Sequence, residues 1–385
     1  MHMLYRKFGK TKEMVSSLGF GTMRLPLLNG EQGCSSYGGN QVDEKATAEM
    51  LLYGVENGIN YIDTAYNYMF GRSEEILGRV LKDMDRQSVY LATKSPIWLL
   101  NSPQDFDRIL CEQLNRLGTD YIDMYLLHSL NTYDWEEKVL GYGLLDKLRN
   151  AKRAGVVRYI GFSFHDELPL FKEIVDAADW DFCQIQLNYV DVNHQAGTKG
   201  LQYAASKGLA VSIMEPLRGG LLVSLPQQAG SVLQQDGTDP VEFAFDFLWN
   251  MPEVSLVLSG MGNKAQVEHN IRLAGSYASP CFSCSDLEKA ARIRGLLKEE
   301  LQLGCTGCHY CSNGCPVKIP IPEYFDCFRE YINGNDDAAK NTYRDIKASG
   351  VGSVQDCVGC KSCEGVCPQG IEITKWLKKV DRLLR

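Results

Sequence analysis

The run that most clearly decides the fold occupies residues 121–127 and reads Tyr121-Ile122-Asp123-Met124-Tyr125-Leu126-Leu127. Its nearly continuous apolar and aromatic residues are typical of a parallel strand covered on both faces. Similar strand-like runs fall at residues 61–65, 89–93, 157–163, 182–187, 209–214 and 254–259. Segments with apolar residues at helical spacing follow them near 72–84, 103–117, 136–154, 167–178, 198–207, 240–250 and 264–274.

A glycine-rich strand at residues 18–24 and a helix capped by Asp43 raise the count to eight strand–helix units. Eight such units over roughly 250 residues predict an α/β fold of the (β/α)8 TIM-barrel type, in preference to a doubly wound sheet. Residues 4–18 are predicted to form a small hairpin before the barrel. The loop at residues 218–239 is longer than its neighbours and is predicted to form a flap.

Composition narrows the classes of partner. The chain has 385 residues and a formal net charge of −8, with no lysine- or arginine-rich run. This argues against nucleic acid or an anionic membrane as the main partner. No apolar run approaches the ~20 residues of a membrane helix, and the N-terminus lacks the apolar core of a signal peptide. The sequence therefore predicts a cytoplasmic protein.

The cysteines are concentrated at the C-terminal end, where 11 of the 14 follow residue 280. Two runs share the spacing C-x2-C-x2-C-x3-C-P, which is typical of ferredoxins with two [4Fe–4S] clusters, whereas zinc sites seldom use it twice. In such proteins the fourth cysteine of each run ligates the other cluster. We expect one cluster on Cys305, Cys308, Cys311 and Cys367, and the other on Cys357, Cys360, Cys363 and Cys315.

The domain prediction follows from these patterns. Residues 1–280 are predicted to form the barrel. Residues 281–385 are predicted to form a linker helix and a small, mainly α-helical ferredoxin-like domain that holds both clusters. Cys281 and Cys284 form a separate C-x2-C pair, which is interpreted as ordinary linker residues, with added ligands or a redox pair as the alternatives.

Polar residues follow several predicted strands, at the barrel face where chemistry occurs in this fold. Asp63, Lys94 and His128 end three consecutive strands, and Tyr68 lies in the loop after the first of them. A phenol is a weak acid with a pKa near 10, and a nearby ammonium lowers that pKa by favouring phenolate. We therefore predict Tyr68 as proton donor, Lys94 as its tuner, Asp63 as the partner of Lys94, and His128 as hydrogen-bond partner of a reacting carbonyl oxygen.

These residues resemble the catalytic Asp, Tyr, Lys and His of the aldo/keto reductases, a (β/α)8 family that uses NADP or NAD. The resemblance covers residues 4–275. With the cysteine-rich tail, the chain resembles the bacterial subgroup that carries a fused ferredoxin-type domain. The resemblance implies that a dinucleotide contacts Gly21, Thr22, Met23, Asp63, Ser163, Gln186, Met214, Glu215, Pro216, Leu217, Gly219, Ser259, Gly260, Met261, Gln266 and Asn270.

Three departures from the family pattern affect the cofactor. Phe164 stands where many members have an asparagine after the serine that corresponds to Ser163. Met214 stands where many members stack a tyrosine on the nicotinamide. Gly260 and Gln266 stand where a basic pair often grips the 2′-phosphate, so that Lys264 is the nearby cation. The choice between NADP and NAD therefore stays open.

The leading prediction is an NAD(P)(H)-dependent carbonyl reductase or alcohol dehydrogenase with a small-molecule substrate. One alternative is an electron-transfer protein whose iron–sulfur domain serves a redox partner, such as a flavoprotein or a ferredoxin, while the barrel is a docking platform. A second alternative is a lyase in which Lys94 forms a Schiff base, which a charged Lys94–Asp63 pair disfavours.

Overall fold

A computed structural model of the chain describes residues 3–29, 42–277 and 282–385. These residues form two compact units. The first unit contains residues 3–29, 42–217, 241–277 and 282–283, and the second contains residues 218–240 and 284–385. The sequence predicted a linear division after residue 280, whereas the second unit also includes a segment from the middle of the chain.

Ten strands lie in the described part of the first unit: β1 (Tyr5–Lys7), β2 (Met14–Ser16), β3 (Leu18–Gly21), β4 (Tyr61–Asp63), β5 (Tyr90–Ser95), β6 (Ile122–Leu130), β7 (Val157–Phe164), β8 (Phe182–Gln186), β9 (Ala210–Met214) and β10 (Leu256–Gly260). Strands β3 to β10 are parallel and close into a barrel in the order β10-β3-β4-β5-β6-β7-β8-β9. Their side chains are buried almost throughout, as their apolar sequences predicted. The (β/α)8 prediction is confirmed.

The helices that follow β3 to β10 cover the barrel: α1 (Glu44–Glu56), α2 (Ser73–Val80), α3 (Pro103–Leu117), α4 (Leu144–Arg153), α5 (Leu168–Ala177), α6 (Gly197–Ser206), α8 (Pro240–Trp249) and α9 (Lys264–Ser276), whereas α7 (Gln227–Gln234) lies in the second unit. Local sequence explains their limits. Helix α3 begins with a capping box of Ser102 and Asp105 and ends at Gly118 in the left-handed conformation.

The antiparallel β1–β2 hairpin belongs to the apolar core inside the barrel. Phe8 follows β1, is fully buried, and packs with Tyr61 and Phe182 at ring-centroid distances of 6.1 and 5.3 Å. On the same hairpin Glu13 accepts hydrogen bonds from the hydroxyls of Tyr90 and Tyr159. Because Tyr61, Tyr90 and Phe182 begin their strands, the hairpin packs on the N-terminal end of the barrel and leaves the C-terminal strand ends for other uses.

The second unit is helical and consists of α7 with α10 (Cys284–Leu296), α11 (Lys298–Leu303), α12 (Tyr310–Asn313), α13 (Ile321–Ile332), α14 (Asp336–Ala348), α15 (Ser362–Gly365) and α16 (Ile373–Leu384). It has its own core, in which Tyr324 and Phe325 of α13 pack with Tyr343 of α14 and Leu377 of α16. Among the described residues no helix is both long and apolar enough to cross a membrane.

Candidate active site and cluster sites

Asp63 is the last residue of β4, and Tyr68 begins a short 3-10 turn five residues later. Met69 and Phe70, directly after Tyr68, have φ values of 49° and 58°. Two consecutive non-glycine residues in the left-handed region are unfavourable, and such strain is concentrated at functional sites. The turn is held by a hydrogen bond of 3.1 Å from the Tyr68 amide to the carbonyl of Ala65.

Three buried hydroxyls fasten this loop to the barrel. Ser73 Oγ lies 2.8 Å from Thr64 Oγ1 and 2.7 Å from Thr22 Oγ1. Thr22 in turn donates from both its amide and its hydroxyl to the carbonyl of Asp63, at 2.9 and 3.0 Å. Thr22 was predicted as a cofactor contact, and its polar atoms here serve to fix the Asp63 backbone. The role of Ser73 was not predicted, because a serine at a helix start is common.

Lys94 and Asp63 form a buried ion pair. The Lys94 ammonium donates to both carboxylate oxygens of Asp63, at 2.7 and 2.8 Å, and to the carbonyl of Thr64 at 2.8 Å. Lys94 is fully buried and Asp63 is 3% exposed. Burial lowers the pKa of Lys94 from its usual value of 10.5, while the Asp63 carboxylate acts in the opposite direction. Without that carboxylate the ammonium would be a single charge in an apolar interior.

Tyr68 presents its phenol to this pair. Its Oη lies 3.4 Å from Lys94 Nζ, at the outer limit of a hydrogen bond, and the ammonium lies 4.8 Å from the centre of the ring. Tyr68 is 9% exposed, more than Lys94 or Asp63. Of these three side chains, the phenol of Tyr68 is therefore the most accessible.

His128 lies on β6 and packs edge-to-face against Tyr68, with ring centroids 6.1 Å apart. Trp98 packs on its ring at 5.0 Å. Burial, with smaller contributions from Lys94 and His165, lowers the pKa of His128 well below 6.5, so the imidazole is neutral at neutral pH. The register of β6 against β7 shifts between Leu127 and Leu130, which is the kind of irregularity that re-aims a side chain beside a site.

A second buried carboxylate stands behind Lys94. Glu74 of α2 is fully buried and accepts hydrogen bonds of 2.6 Å from both Thr93 Oγ1 and Gln113 Nε2. Gln113 also donates to the carbonyl of Lys94 at 3.0 Å, and its own Oε1 accepts from Tyr125 at 2.8 Å. This network fixes the strand that carries Lys94. This network was not predicted, because the spacing of one glutamate and one glutamine on two outer helices does not reveal which helix face is buried.

The residues predicted to contact the nicotinamide end neighbouring strands, with Ser163 and Gln186 expected at the carboxamide and Met214 at the ring. Ser163, Gln186 and Met214 lie at the C-terminal ends of β7, β8 and β9, and the first two are buried. Ser163 Oγ accepts the Ser129 amide at 2.7 Å, and Gln186 Nε2 donates to Asp191 at 3.1 Å. Strand β8 pairs with both β7 and β9, so these strand ends are neighbours.

Next to them, the segment predicted to approach the pyrophosphate begins in the barrel unit. Glu215 has a φ of 55°, and its carbonyl accepts a hydrogen bond of 3.0 Å from Asn188. Pro216 is buried and Leu217 is half-buried. Gly219 belongs to the second unit, where a Cβ added to it would lie 2.2 Å from the carbonyl oxygen of Thr306.

The residues predicted to hold the adenosine end cluster at the end of β10 and the start of α9. Asn270 donates to Ser259 Oγ at 3.0 Å, and the Gln266 side chain accepts from the Gly262 amide at 2.8 Å. Strand register pairs Gly21 with Gly260. Two further predicted contacts are Met23, which is half-buried, and Met261, which is buried. Lys264, the nearby cation, lies 3.9 Å from Glu268.

The eight predicted cluster ligands line two cavities in the second unit. One is lined by Cys305, Cys308, Cys311 and Cys367, and the other by Cys315, Cys357, Cys360 and Cys363. Each cavity thus takes three thiols from one run and the fourth from the other run. In the described ranges no three His, Cys, Asp or Glu side chains are grouped closely enough for a single metal ion. Four thiols that surround a wider space fit a cube with four separate irons.

The two cluster loops repeat one another in backbone conformation. Gly307 and Gly359 have φ values of 64° and 70°, and His309 and Lys361, one residue past the second cysteine, have 62° and 61°. Helices α12 and α15 follow at corresponding positions, and α13 and α16 are both 12 residues long. Amides also approach the thiols, as at Gly307, whose N–H lies 3.4 Å from Cys305 Sγ.

Cys284 is exposed at the start of α10, and the prediction for Cys281 lies outside the described residues.

The family comparisons agree with this geometry. Residues 17–276 match the model of the aldo/keto reductase family, and residues 304–372 match that of a 4Fe–4S dicluster domain. An uncharacterized oxidoreductase, YqkF of Bacillus subtilis strain 168, is 28% identical over 73% of this chain and 93% of its own. The NADH-specific methylglyoxal reductase of Escherichia coli K12 is 29% identical over 56% of this chain and 67% of its own.

A solved structure shares the fold. The aldo-keto reductase AKR11C1 from Bacillus halodurans, in its holo form, superposes with a TM-score of 0.62 over 76% of this chain and 96% of its own, at 24% identity.

Proposed function

Because the chain belongs to the aldo/keto reductase family and carries a fused 4Fe–4S domain, we propose that its barrel interconverts a carbonyl and an alcohol by hydride transfer with NADPH or NADH. The observation that carries the proposal is the phenol of Tyr68, 3.4 Å from an ammonium that is itself paired with a buried carboxylate. A small carbonyl compound is the substrate class that this arrangement suits.

In the reducing direction the nicotinamide supplies a hydride to the carbonyl carbon when it is bound. Tyr68 Oη gives a proton to the carbonyl oxygen, and Lys94 stabilises the phenolate that remains because its positive charge lies beside that oxygen. Asp63 keeps Lys94 charged and in place. The neutral imidazole of His128 donates a hydrogen bond to the same carbonyl oxygen and so helps to orient it.

The charged state of Lys94 also bears on the lyase alternative. A Schiff base forms from an unprotonated amine. Lys94 Nζ lies 2.7–2.8 Å from two carboxylate oxygens and a carbonyl, which can only accept hydrogen bonds, and this environment favours the ammonium form. This geometry supports the reductase over the lyase.

For the cofactor, the strand ends with Ser163, Gln186 and Met214 would hold the carboxamide and the ring, and the start of α9 would hold the adenosine phosphate. Gln266 and Gly260 bring no charge to the 2′-phosphate position. One relative is named as NADH-specific. These observations favour NADH over NADPH.

For the second unit we propose two [4Fe–4S] clusters with the ligand sets that line the two cavities. A nicotinamide moves two electrons as a hydride, whereas each cluster moves one, so direct exchange needs a flavin or another two-to-one switch. The sequence has no flavin signature, so the clusters serve an external redox partner or a structural role. Eight cluster thiols are best kept in a reducing cytoplasm.

The test of the barrel chemistry is Tyr68→Phe, with Tyr66→Phe as matched control. Tyr66 lies in the same loop, but its hydroxyl bonds Glu112 at 3.1 Å. Against a panel of small aldehydes and ketones, we expect kcat/KM of Tyr68→Phe to fall by about 10²–10⁴-fold. Dinucleotide affinity, measured by fluorescence titration, should stay within about twofold because the phenol proton takes no part in cofactor binding. Substantial turnover in Tyr68→Phe would contradict the assignment of Tyr68 as the proton donor.

The electron-transfer alternative makes a different prediction. If the barrel is only a docking platform, the purified protein turns over no carbonyl with either dinucleotide while its clusters still accept electrons. Reduction of the clusters by NAD(P)H without added flavin, followed by absorbance under anaerobic conditions, would contradict the need for an external switch.

A further inference from the structure

We propose that the cluster on Cys315, Cys357, Cys360 and Cys363 exchanges electrons with an external carrier protein of acidic surface, which docks on the outer face of α16 and the loop Val358–Ser362. This basic docking face, made of these two segments, carries Lys375, Lys378, Lys379 and Arg382. The inference rests on the iron–sulfur domain and does not depend on the chemistry of the barrel.

The first step is the difference in exposure between the two cluster loops. Residues Val358–Ser362 are all exposed, Val358 to 67%, and they include the ligand Cys360. In the matching loop, residues Gly304–Tyr310 are all at least partly buried. Electron tunnelling falls steeply with distance, so a carrier protein reaches the cluster whose binding loop is at the surface. Val358 also offers an exposed apolar side chain on this loop.

The second step is the position of α16. Leu377 and Thr374 of this helix line the cavity of the exposed cluster loop, while Lys375, Lys378 and Arg382 lie on the opposite, exposed side. Thr374 also lines a wide surface basin together with Trp376, Lys378, Lys379 and Arg382. One helix thickness therefore separates the basic surface from the cluster cavity, and Thr374 borders both.

The third step is charge. The segment from Glu372 to Arg385 has five basic and two acidic side chains, in a chain with a formal net charge of −8. An acidic partner is repelled by the chain as a whole and attracted to this face, which steers its encounter to one place. Trp376 lies in the same face, packed on Phe328 with Lys379 4.3 Å above its ring, so the surface also offers an aromatic contact.

The electron balance is simple. One electron leaves the reduced carrier, and the oxidised [4Fe–4S] cluster takes it and becomes reduced by one electron, with no bond made or broken. A small acidic ferredoxin with a single [2Fe–2S] cluster is a suitable probe, because it carries one electron and a negative surface.

The test uses the full chain with both clusters reconstituted. The variant Lys378→Glu/Arg382→Glu reverses two charges on the basic docking face, and the control Arg344→Glu/Lys347→Glu reverses two exposed charges on α14. Both variants change the net charge of the chain equally. Anaerobic stopped-flow mixing with the reduced probe measures the second-order rate constant of cluster reduction, and the EPR intensity of the fully reduced protein checks cluster content.

At low ionic strength we expect the docking-face variant to react about tenfold or more slowly than the native chain, and the control to stay within about twofold. The difference should disappear near 0.5 M salt because screening removes the attraction. Val358→Asp should slow the reaction, while Val358→Lys should not. Equal rates for both double variants, or tighter binding of a DNA duplex than of the acidic probe at this face, would overturn the proposal.

Discussion

The most informative perturbation is the separation of Lys94 from Asp63, because these two side chains combine a structural and a catalytic role. Asp63→Asn keeps the shape of the acid and removes its charge, and Lys94→Met keeps most of the apolar stem and removes the ammonium. Each single variant leaves one buried group without its partner. The double variant Asp63→Asn/Lys94→Met leaves neither charge.

The expected loss of unfolding free energy follows from the geometry of the Lys94–Asp63 ion pair. The pair is bidentate at 2.7 and 2.8 Å, and both side chains are almost entirely buried. Removing one partner of such a pair costs about 3–5 kcal/mol of unfolding free energy, because a charge stays buried without compensation. The double variant should lose far less than the sum of the two singles, with a coupling free energy of up to about 3 kcal/mol.

The pH dependence of Lys94→Met gives a second check with a definite sign. Burial already raises the pKa of Asp63 above 3.8, and loss of the ammonium raises it further. Between 3.8 and that raised value, the folded state holds a proton that the unfolded state has released. The stability deficit of Lys94→Met should therefore shrink as the pH falls from neutral through the raised pKa of Asp63, and the double variant should not show this change.

Guanidinium unfolding followed by tryptophan fluorescence measures these free energies, because Trp98, Trp135, Trp180 and Trp249 belong to the barrel unit and only Trp376 to the second unit. All three variants should lose carbonyl turnover, so stability is the quantity that separates them. Additive losses in the cycle would refute the coupled, charged pair and with it the assignment of Asp63 as the partner of Lys94.

Three further outcomes are expected. Burial lowers the pKa of His165 to about 4, so between pH 6.5 and 4 only the unfolded chain binds the proton, and the native chain loses about 3 kcal/mol of stability across that range. His165→Gln should remove this loss, and unfolding midpoints measured at successive pH values test the prediction. Gly219→Ala should reduce the iron bound per chain, because its Cβ would lie 2.2 Å from the Thr306 carbonyl beside a cluster ligand, at a φ of 64°. Gln266→Arg should raise the preference for NADPH over NADH about tenfold in kcat/KM, because it brings a cation to the 2′-phosphate position.

The prediction for Gly219→Ala has a matched control in the chain. Gly237→Ala matches Gly219→Ala, because Gly237 has a φ of 72° in the same unit but open space around its Cβ, so it should keep its iron. An unchanged acid profile in His165→Gln, or equal gains for both dinucleotides in Gln266→Arg, would contradict the corresponding argument.

The barrel was predictable because each strand is buried on both faces, and a strand buried in this way is a short continuous run of apolar residues in the sequence. The ends of β4, β5 and β6 then placed Asp63, Lys94 and His128 on one face, and the loop after β4 added Tyr68. The cluster cavities were predictable for a similar reason, since thiol spacing is fixed by the geometry of the metal group.

Other features depend on packing that no local pattern records. The helix predicted at residues 136–154 is a π-helical turn, Asp134–Leu140, followed by α4 after a left-handed Gly143. The left-handed turn at Met69 and Phe70 contains no glycine from which it could have been predicted. The network around Glu74 requires knowledge of which helix faces meet. These are tertiary effects that override local preference.

The membership of residues 218–240 in the second unit has a consequence for synthesis of the chain. This segment lies between β9 and α8, so the ribosome makes it before the last barrel strand, yet the residues it packs with emerge only after residue 284. At about 5–20 residues per second, the wait lasts on the order of ten seconds. During that time residues 218–240 of the nascent chain lack the residues that they pack against. A chain truncated after the barrel would contain residues 218–240 without those packing partners.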